Sequence, residues 1–168
     1  TTIDDFRNFF KPNKEKTAFS LKQAVEDTLS IISASFKNHD IAVHLDAADD
    51  IVAYGFPNEY SQVLLNILNN AKDAIQANKV ADGKIHIHIV RHDSLASISV
   101  RDNAGGIPVH ILPKIFDPYF TTKEKGTGIG LYMSKMIIED SMDGKIEARN
   151  VAGGAEFTVI CPVAESGG

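Results

Sequence analysis

Two adjoining runs of alternating apolar and polar residues restrict the fold of this chain more than any other feature. KIHIHIVRHD occupies residues 84–93, and LASISVRDN occupies residues 95–103. Successive side chains of a strand point to opposite faces of a sheet, so each run has one face suited to burial and one suited to water. Because Ser94 alone separates the runs, they predict a β-hairpin and favour antiparallel pairing.

Three amphipathic helices are predicted around this hairpin. Ser20 and Gln23 have the spacing of a capping box at the start of a helix over about residues 21–37. A second helix covers residues 58–78, and a third covers about residues 128–141. The apolar stripe of the first helix is formed by Leu21, Val25, Leu29, Ile32 and Phe36, and that of the second by Leu64, Ile67 or Leu68, Ala71, and Ala74 or Ile75.

Short strand-like segments complete the pattern at residues 41–46, 51–56, 145–150 and 155–162. Helices and strands are interspersed along a chain whose 168 residues suffice for one domain with a sizeable core. We therefore predict an α+β fold. It is a two-layer α/β sandwich in which a mixed, mostly antiparallel sheet is covered on one face by three helices.

The charge balance and the cysteine count limit the function classes. The chain has 17 Lys and Arg against 22 Asp and Glu, a net charge of -5, which argues against a nucleic-acid-binding surface. Cys161 is the only cysteine, so no internal disulfide is expected, and its strand-like segment suits a small buried hydrophobe. No apolar run approaches the roughly 20 residues that span a bilayer. No signal-peptide pattern opens the chain, so we expect a cytoplasmic location.

The second predicted helix carries a polar stripe. Asn66, Asn70 and Asp73 are spaced i, i+4 and i+7, so they share one face, largely opposite the apolar stripe. The stripe is either a solvated helix face or a site for a hard cation. Amide oxygens suit Mg²⁺, which prefers oxygen ligands and is commonly shared with substrate phosphates.

Asp102 ends the second strand of the hairpin and is followed closely by Gly105 and Gly106. A carboxylate in this position can accept a hydrogen bond from the exocyclic amine of adenine, where guanine presents an oxygen. The two glycines allow the backbone to approach a base closely. The alternative is a simple Asx or glycine-rich turn.

Residues 103–127 form a long irregular connection, which in compact domains is usually functional or mobile. At its end, KGTGIGL (125–131) opens the third helix, and a glycine-rich helix start binds phosphate through backbone N–H groups and the helix dipole. The spacing fits neither the dinucleotide fingerprint nor the P-loop. The aromatic segment before it, residues 116–123, is either a lid that packs over a ligand or a loop with a small core of its own. Lys123 and Lys125 could meet a terminal phosphate as point charges.

Four segments follow one another along the chain: the polar helix stripe, the Asp102 turn, the aromatic segment and the glycine-rich helix start. Together they resemble the GHKL ATP-binding family, which includes gyrase, Hsp90-type chaperones, MutL and histidine kinases. The closest resemblance is to the catalytic domain of sensor histidine kinases. QVLLNILNNAKDAI is similar to their N box, DNAGGI to the G1 box, IFDPYFTTK to the F box and KGTGIGL to the G2 box. These motifs cover residues 62–131, and the similarity extends over about residues 18–163.

The resemblance implies a role for each motif. Asn70 would ligate Mg²⁺ with support from Asn66, and these two residues and Lys123 would be the catalytic ones. Asp73 would form a hydrogen bond near the nucleotide, and Asp102 would hold the adenine amine. The other residues implied to surround ATP are Gly106, Ile107, Phe120, Thr122, Lys123, Lys125, Gly126, Thr127, Gly128, Ile129, Gly130 and Leu131. Among them, the three glycines of the G2 box would form the hinge of a mobile ATP lid.

Three positions qualify the resemblance. Ala104 stands where the G1 box usually has its first glycine, and Ala155 stands where the family has a threonine after Gly154. A hydroxyl near the adenine pocket is therefore missing. Asn66 stands where the ATP-hydrolysing members have a glutamate that activates water. An asparagine cannot act as a base, which favours transfer to a protein acceptor over hydrolysis.

None of the six histidines has the pattern of a phosphoacceptor. His39 is followed by an acidic residue, but it lacks the proline expected further on and lies at a helix end. His86 and His88 alternate on one strand, and we expect exposed cross-strand residues rather than metal ligands. The acceptor histidine is therefore expected on a separate segment.

The expected organisation follows from the resemblance. Residues 1–17 resemble the end of a dimerisation helix and its linker, residues 18–164 the catalytic ATP-binding domain, and residues 165–168 a tail. The expected reaction is transfer of the γ-phosphoryl group of Mg-ATP to a histidine on a dimerisation domain absent from this chain, so the chain alone would be nearly inactive.

The resemblance also implies partners. They are the dimerisation domain and a downstream response regulator, with no nucleic acid. The parent protein would be a homodimer, cytoplasmic or anchored in the inner membrane, and this chain a monomer. The alternatives are a nucleotide-gated interaction module without transfer activity and a serine kinase of the anti-sigma type.

Overall fold

The computed structural model describes residues 15–47, 50–118 and 130–164. The elements are, in chain order, β1 (Thr17–Ser20), α1 (Leu21–Asn38), β2 (Ala42–Ala47), β3 (Val52–Gly55), α2 (Pro57–Ala77), β4 (Lys84–His92), β5 (Leu95–Asp102), a 3-10 turn (Leu112–Lys114), α3 (Gly130–Lys135) with a following π turn (Met136–Ser141), β6 (Lys145–Val151) and β7 (Gly154–Pro162). Residues 1–14, most of the segment that resembles the end of a dimerisation helix and its linker, lie outside the described residues. None of the described helices has the length and apolarity needed to cross a bilayer.

The predicted two-layer sandwich with three helices is confirmed. Five strands form a mixed sheet in the order β2-β4-β5-β7-β6. The β2 strand is parallel to β4, and the other neighbouring strands are antiparallel. The alternating runs form the central hairpin, in which Ile85, Ile87 and Ile89 face the buried side.

The first helix is capped as predicted at one of its two capping-box contacts. The Ser20 hydroxyl accepts a hydrogen bond from the Gln23 backbone N–H at 3.1 Å. The second capping-box contact, from the Gln23 side chain to the Ser20 backbone N–H, is not made, because the Gln23 side chain donates to the Asp27 carboxylate at 2.8 Å. Four of the five predicted stripe residues are buried, and Leu29 is partly buried.

The second helix begins with Pro57, whose missing N–H is harmless at a first helical position. Ile67 and Leu68, which the sequence offered as alternatives, are both buried. Of the later pair, Ile75 is buried and Ala74 is partly buried. This wide apolar side fixes the rotation of the helix, so its opposite side faces away from the sheet.

Two features depart from the sequence prediction. The β1 strand was not predicted, because its four residues show no alternation; it pairs antiparallel with β3 in a separate two-stranded sheet. The third helix is described from Gly130 and changes from α to π geometry at Met136. Single π turns of this kind are rare and often occur near functional sites.

The face of the large sheet opposite the helices carries polar and charged side chains. The His44 and His86 rings lie 5.9 Å apart between centroids, and His88 Nδ1 lies 3.3 Å from the Asp46 carboxylate. The expected exposed cross-strand arrangement of His86 and His88 is therefore confirmed.

A polar hollow of about 600 Å³ lies further along this open face, and Glu156 is buried in its wall. Burial alone would raise the pKa of the Glu156 carboxyl. Hydrogen bonds from Arg101 and Arg149, each 2.8–2.9 Å from the carboxylate at its closest, outweigh this and hold the pKa below its ordinary value. The open face is thus an ion-paired surface, separate from the helical layer.

Cys161 is fully buried, as its strand-like segment predicted. Burial raises the pKa of its thiol to about 11, although a hydrogen bond with the Tyr60 hydroxyl acts in the opposite direction. Among the described residues, no nitrogen or oxygen atom partners the Tyr60 hydroxyl, so the thiol is its polar neighbour.

We expect Cys161 to resist thiol-modifying reagents in the folded protein. With a pKa of about 11, roughly one thiol in a thousand is ionised at pH 8, and the sulfur is inaccessible. Labelling with a chromogenic disulfide should proceed no faster than global unfolding and should become immediate in denaturant. Rapid labelling of the folded chain would show that strand β7 opens locally.

Candidate nucleotide-binding site

The polar stripe of α2 lies where the sequence predicted it. Asn66, Asn70 and Asp73 are all partly buried on the side of α2 that does not pack into the core. Partial burial distinguishes them from residues on a fully solvated helix face. A stripe of this kind keeps amide and carboxylate oxygens at fixed positions along one helix, which suits recognition of a polar ligand.

Asn66 connects α2 to the start of α3. Its Nδ2 group donates to the Gly130 carbonyl at 3.2 Å and lies 3.1 Å from the Ser134 hydroxyl. Its Oδ1 atom accepts from Gln62 at 3.1 Å, and the Ser134 hydroxyl itself donates to Gly130 at 2.8 Å. The glycine that closes the G2 box is therefore held by side chains from two helices.

Asp102 lies at the end of β5 and is 7% exposed. Its Oδ1 atom accepts from the backbone N–H groups of Ala104 at 3.0 Å and Ala155 at 3.3 Å. Within the described part of the chain, Asp102 accepts these two hydrogen bonds, and both end on Oδ1. The other carboxylate oxygen, Oδ2, is therefore available to a ligand. Burial raises the pKa of the Asp102 carboxyl, and the two backbone hydrogen bonds partly oppose that rise.

The loop after Asp102 places the two predicted glycines at positive φ, which glycine adopts without steric cost. Gly105 has φ 93° and Gly106 has φ 91°, a region that side-chain-bearing residues rarely adopt. A side chain at Gly106 would also come within 3.0 Å of the Asn150 side chain. The glycine pair is therefore required by the backbone path beside the carboxylate.

The two alanine departures are accommodated differently. Ala104 is buried, and its methyl group packs into the hydrophobic core. Ala155 lacks a hydroxyl, but its backbone N–H supports Asp102 directly. Gly154 is necessary next to it, because a Cβ atom there would lie 1.8 Å from the Asp102 carbonyl oxygen. The sequence did not predict this support from β7.

Part of the predicted site falls outside the described residues. These residues are Phe120, Thr122, Lys123, Lys125, Gly126, Thr127, Gly128 and Ile129. At the boundaries, Gly130 is exposed and Leu131 partly buried. Phe116, a residue of the segment that resembles the F box, packs edge-on against Phe157 at 6.2 Å, and the Lys135 ammonium lies 5.7 Å from the Phe116 ring centre.

The sequence and the fold have known relatives. A family model described as histidine kinase-, DNA gyrase B- and HSP90-like ATPase matches residues 55–165. The chain is 38% identical over 169 residues to the signal transduction histidine-protein kinase AtoS of Escherichia coli (strain K12). The alignment covers 98% of this chain and 27% of AtoS.

Two solved structures extend the comparison. The catalytic domain of histidine kinase ThkA has a TM-score of 0.81 and 30% identity, covering 89% of this chain and 96% of that one. A structure of ThkA in complex with the response regulator protein TrrA has a TM-score of 0.76 and 26% identity, covering 96% of this chain and 46% of that one.

The family match and the fold therefore define a nucleotide-binding domain of the ATPase type. The chain belongs to the histidine kinase-, DNA gyrase B- and HSP90-like ATPase family. Within that family it has the fold of a histidine kinase catalytic domain, and the nucleotide that the family binds is ATP. The chain spans about a quarter of the length of AtoS.

Proposed function

We propose that this chain is the catalytic domain of a two-component sensor histidine kinase, which transfers the γ-phosphoryl group of ATP to a histidine on a dimerisation domain. The observation that carries the proposal is the Asp102 carboxylate. It is buried at a strand end with one oxygen fixed by two backbone amides, and the other oxygen is available to the adenine amine. In this proposal, residues 18–164 are the catalytic unit.

The polar face of α2 is proposed to hold the phosphates. Asn70 offers an amide oxygen from a partly buried position, and such a donor suits Mg²⁺. When bound, the ion would neutralise charge on the phosphate oxygens. Asn66 would position the glycine-rich helix start through its bonds to Gly130 and Ser134. Lys123 and Lys125 are proposed to meet the terminal phosphate.

The proposed chemistry needs no general base for water. A nitrogen of the acceptor imidazole attacks the γ-phosphorus, the bond between that phosphorus and the bridging oxygen breaks, and ADP leaves. The imidazole releases its proton to solvent. Asn66 is incapable of the proton abstraction that hydrolysis requires, so the domain contributes positioning and charge stabilisation.

The acceptor histidine is proposed to lie outside this chain. His39 is the C-cap residue of α1, and its Nδ1 atom lies 2.7 Å from the Ser35 carbonyl oxygen in the last turn of that helix. His44, His86 and His88 lie on the open sheet face, away from the helical layer. We further propose that the parent protein is a cytoplasmic or membrane-anchored homodimer that passes the phosphoryl group to a response regulator.

The test is reconstitution from two separate proteins. The chain is mixed with radiolabelled ATP, Mg²⁺ and a separately produced dimerisation domain that carries the acceptor histidine. We expect label on the added domain, lost in acid because a phosphoramidate hydrolyses there, and almost none on the chain itself. Asn70→Ala should lower the transfer rate at least about 100-fold, equivalent to about 2.7 kcal/mol.

Asn69→Ala is the matched control, because Asn69 is the same residue type one position away on α2 and also partly buried. It should transfer at near the wild-type rate. ATP binding without any transfer would contradict the kinase proposal and favour a nucleotide-gated interaction module. Acid-stable label on serine would instead favour a serine kinase.

A further inference from the structure

We infer that Asn150 is a positioning residue for the adenine pocket, and that it holds the loop after Asp102 in the shape that distinguishes adenine from guanine. The inference rests on the proposed nucleotide site. Asn150 lies near the end of β6 and is paired in register with Ala155, the residue whose backbone N–H supports Asp102. It is therefore next to the pocket without belonging to any of the four motifs.

The Asn150 carboxamide makes two hydrogen bonds to a single residue of the loop. Its Oδ1 atom accepts from the Ile107 N–H at 2.7 Å, and its Nδ2 group donates to the Ile107 carbonyl at 2.7 Å. A primary amide can satisfy both backbone groups of one residue in this way, as a neighbouring strand would. Both bonds join residues 43 positions apart in sequence.

The loop needs such a restraint because it contains two consecutive glycines. Gly105 and Gly106 carry the backbone through positive φ values, and glycine has the greatest conformational freedom of any residue. On the near side of the pair, Gly105 N–H donates to the Gly153 carbonyl at 3.0 Å, and Asn78 donates to the Ala104 carbonyl at 2.6 Å. On the far side, the described contacts of the Ile107 backbone groups are those with Asn150.

Asn150 also lies directly against the pocket glycine. A Cβ atom at Gly106 would approach its Oδ1 atom to 3.0 Å, so the carboxamide fixes how far Gly106 can move towards β6. Gly106 and Asp102 are the two residues expected to face the base. Loss of the Asn150 carboxamide would leave Asp102 in place, because the Ala104 and Ala155 backbone amides hold that carboxylate. The same loss would release the loop that carries Gly106, which forms the other wall of the pocket.

The decisive measurement compares ATP with GTP binding in the whole chain. Asn150→Ala should raise the ATP dissociation constant about 10-fold, as expected for two partly solvated hydrogen bonds, and should leave weak GTP binding unchanged. The ratio of the two affinities should therefore fall about 10-fold. Asn150→Asp keeps the acceptor for Ile107 N–H and should recover part of the ratio. Glu147→Gln, an exposed position on the same strand, is the control.

Amide hydrogen exchange at Ile107 in the nucleotide-free protein tests the structural half of the inference. Exchange should accelerate about 10-fold in Asn150→Ala and less in Asn150→Asp. Equal losses of ATP and GTP affinity, accompanied by a lower melting temperature, would reduce Asn150 to a general stabilising residue and overturn the inference. If Asn150→Ala bound ATP with wild-type affinity, the inference about Asn150 would be overturned and the proposed function would stand. If the wild-type chain bound no ATP, the proposed function itself would be overturned.

Discussion

Replacing Asp102 with asparagine should lower the ATP affinity about 100-fold, equivalent to about 2.7 kcal/mol. The Oδ1 position must still accept from the Ala104 and Ala155 amides, so the new NH₂ group takes the position of Oδ2. It would then present a donor to the adenine amine, which is also a donor. A mismatch between buried polar groups costs more than the simple loss of a contact.

The same substitution should raise the melting temperature of the nucleotide-free protein. Burial raises the folded-state pKa of Asp102 above the ordinary value of 3.8, so the folded chain binds this proton more tightly than the unfolded chain. The cost to stability is absent below pH 3.8. It develops as the pH rises through the interval up to the raised folded-state pKa, and it stays constant above that interval. Asparagine does not ionise, so the cost disappears.

Calorimetric titration with ATP and thermal melts between pH 3 and pH 8 would check both effects. The stabilisation of Asp102→Asn over the wild type should grow as the pH rises and then level off. Asp140→Asn, which removes an exposed carboxylate, should change neither quantity appreciably. Near-normal ATP binding by Asp102→Asn would remove the carboxylate from the adenine site.

Replacing Gly154 with alanine should destabilise the fold by at least about 3 kcal/mol, because overpacking against backbone cannot be relieved by a rotamer change. The added Cβ atom would lie 1.8 Å from the Asp102 carbonyl oxygen and 2.7 Å from the carbonyl carbon. Strands β5 and β7 would have to separate at the point where Asp102 receives its hydrogen bond from Ala155. ATP binding should therefore fall together with stability.

Gly153→Ala provides a matched comparison one residue away. Gly153 has φ 78°, but a Cβ atom there meets nothing within 4 Å, so the variant carries backbone strain without a clash. We expect a loss of about 1–2 kcal/mol. Urea unfolding of both variants would separate the two causes. Equal losses would mean that the close approach of Gly154 to Asp102 is not what limits this position.

Much of the site was predictable because its residues carry local signals. The alternation of β4 and β5 identified the hairpin and placed Asp102 at its end. The spacing of Asn66, Asn70 and Asp73 placed them on one face of α2, which the apolar stripe orients. These predictions succeeded because the helical and strand periods are written in consecutive residues, and because packing against the sheet then fixes which side of each element is buried.

Other contacts have no local signal. The β1 strand forms because β3 is available to pair with it, and its four residues alone do not encode a strand. The hydrogen bond of Asn66 to Ser134 joins positions 68 apart, and that of Ala155 to Asp102 joins positions 53 apart. Which polar groups meet across such long separations in sequence depends on the order of the strands in the sheet.

The sequence by itself determined the sandwich, the nucleotide-binding motifs and the candidate carboxylate. Tertiary structure alone decided how that carboxylate is held and which residue shapes the wall opposite it. Asp102 is fixed by an amide from β7 and Gly106 is bounded by a side chain from β6, and neither strand belongs to the four boxes of residues 62–131. The reason is physical, since a buried polar group must be satisfied by whatever donor the fold brings to it, and only the packed chain determines which donor that is.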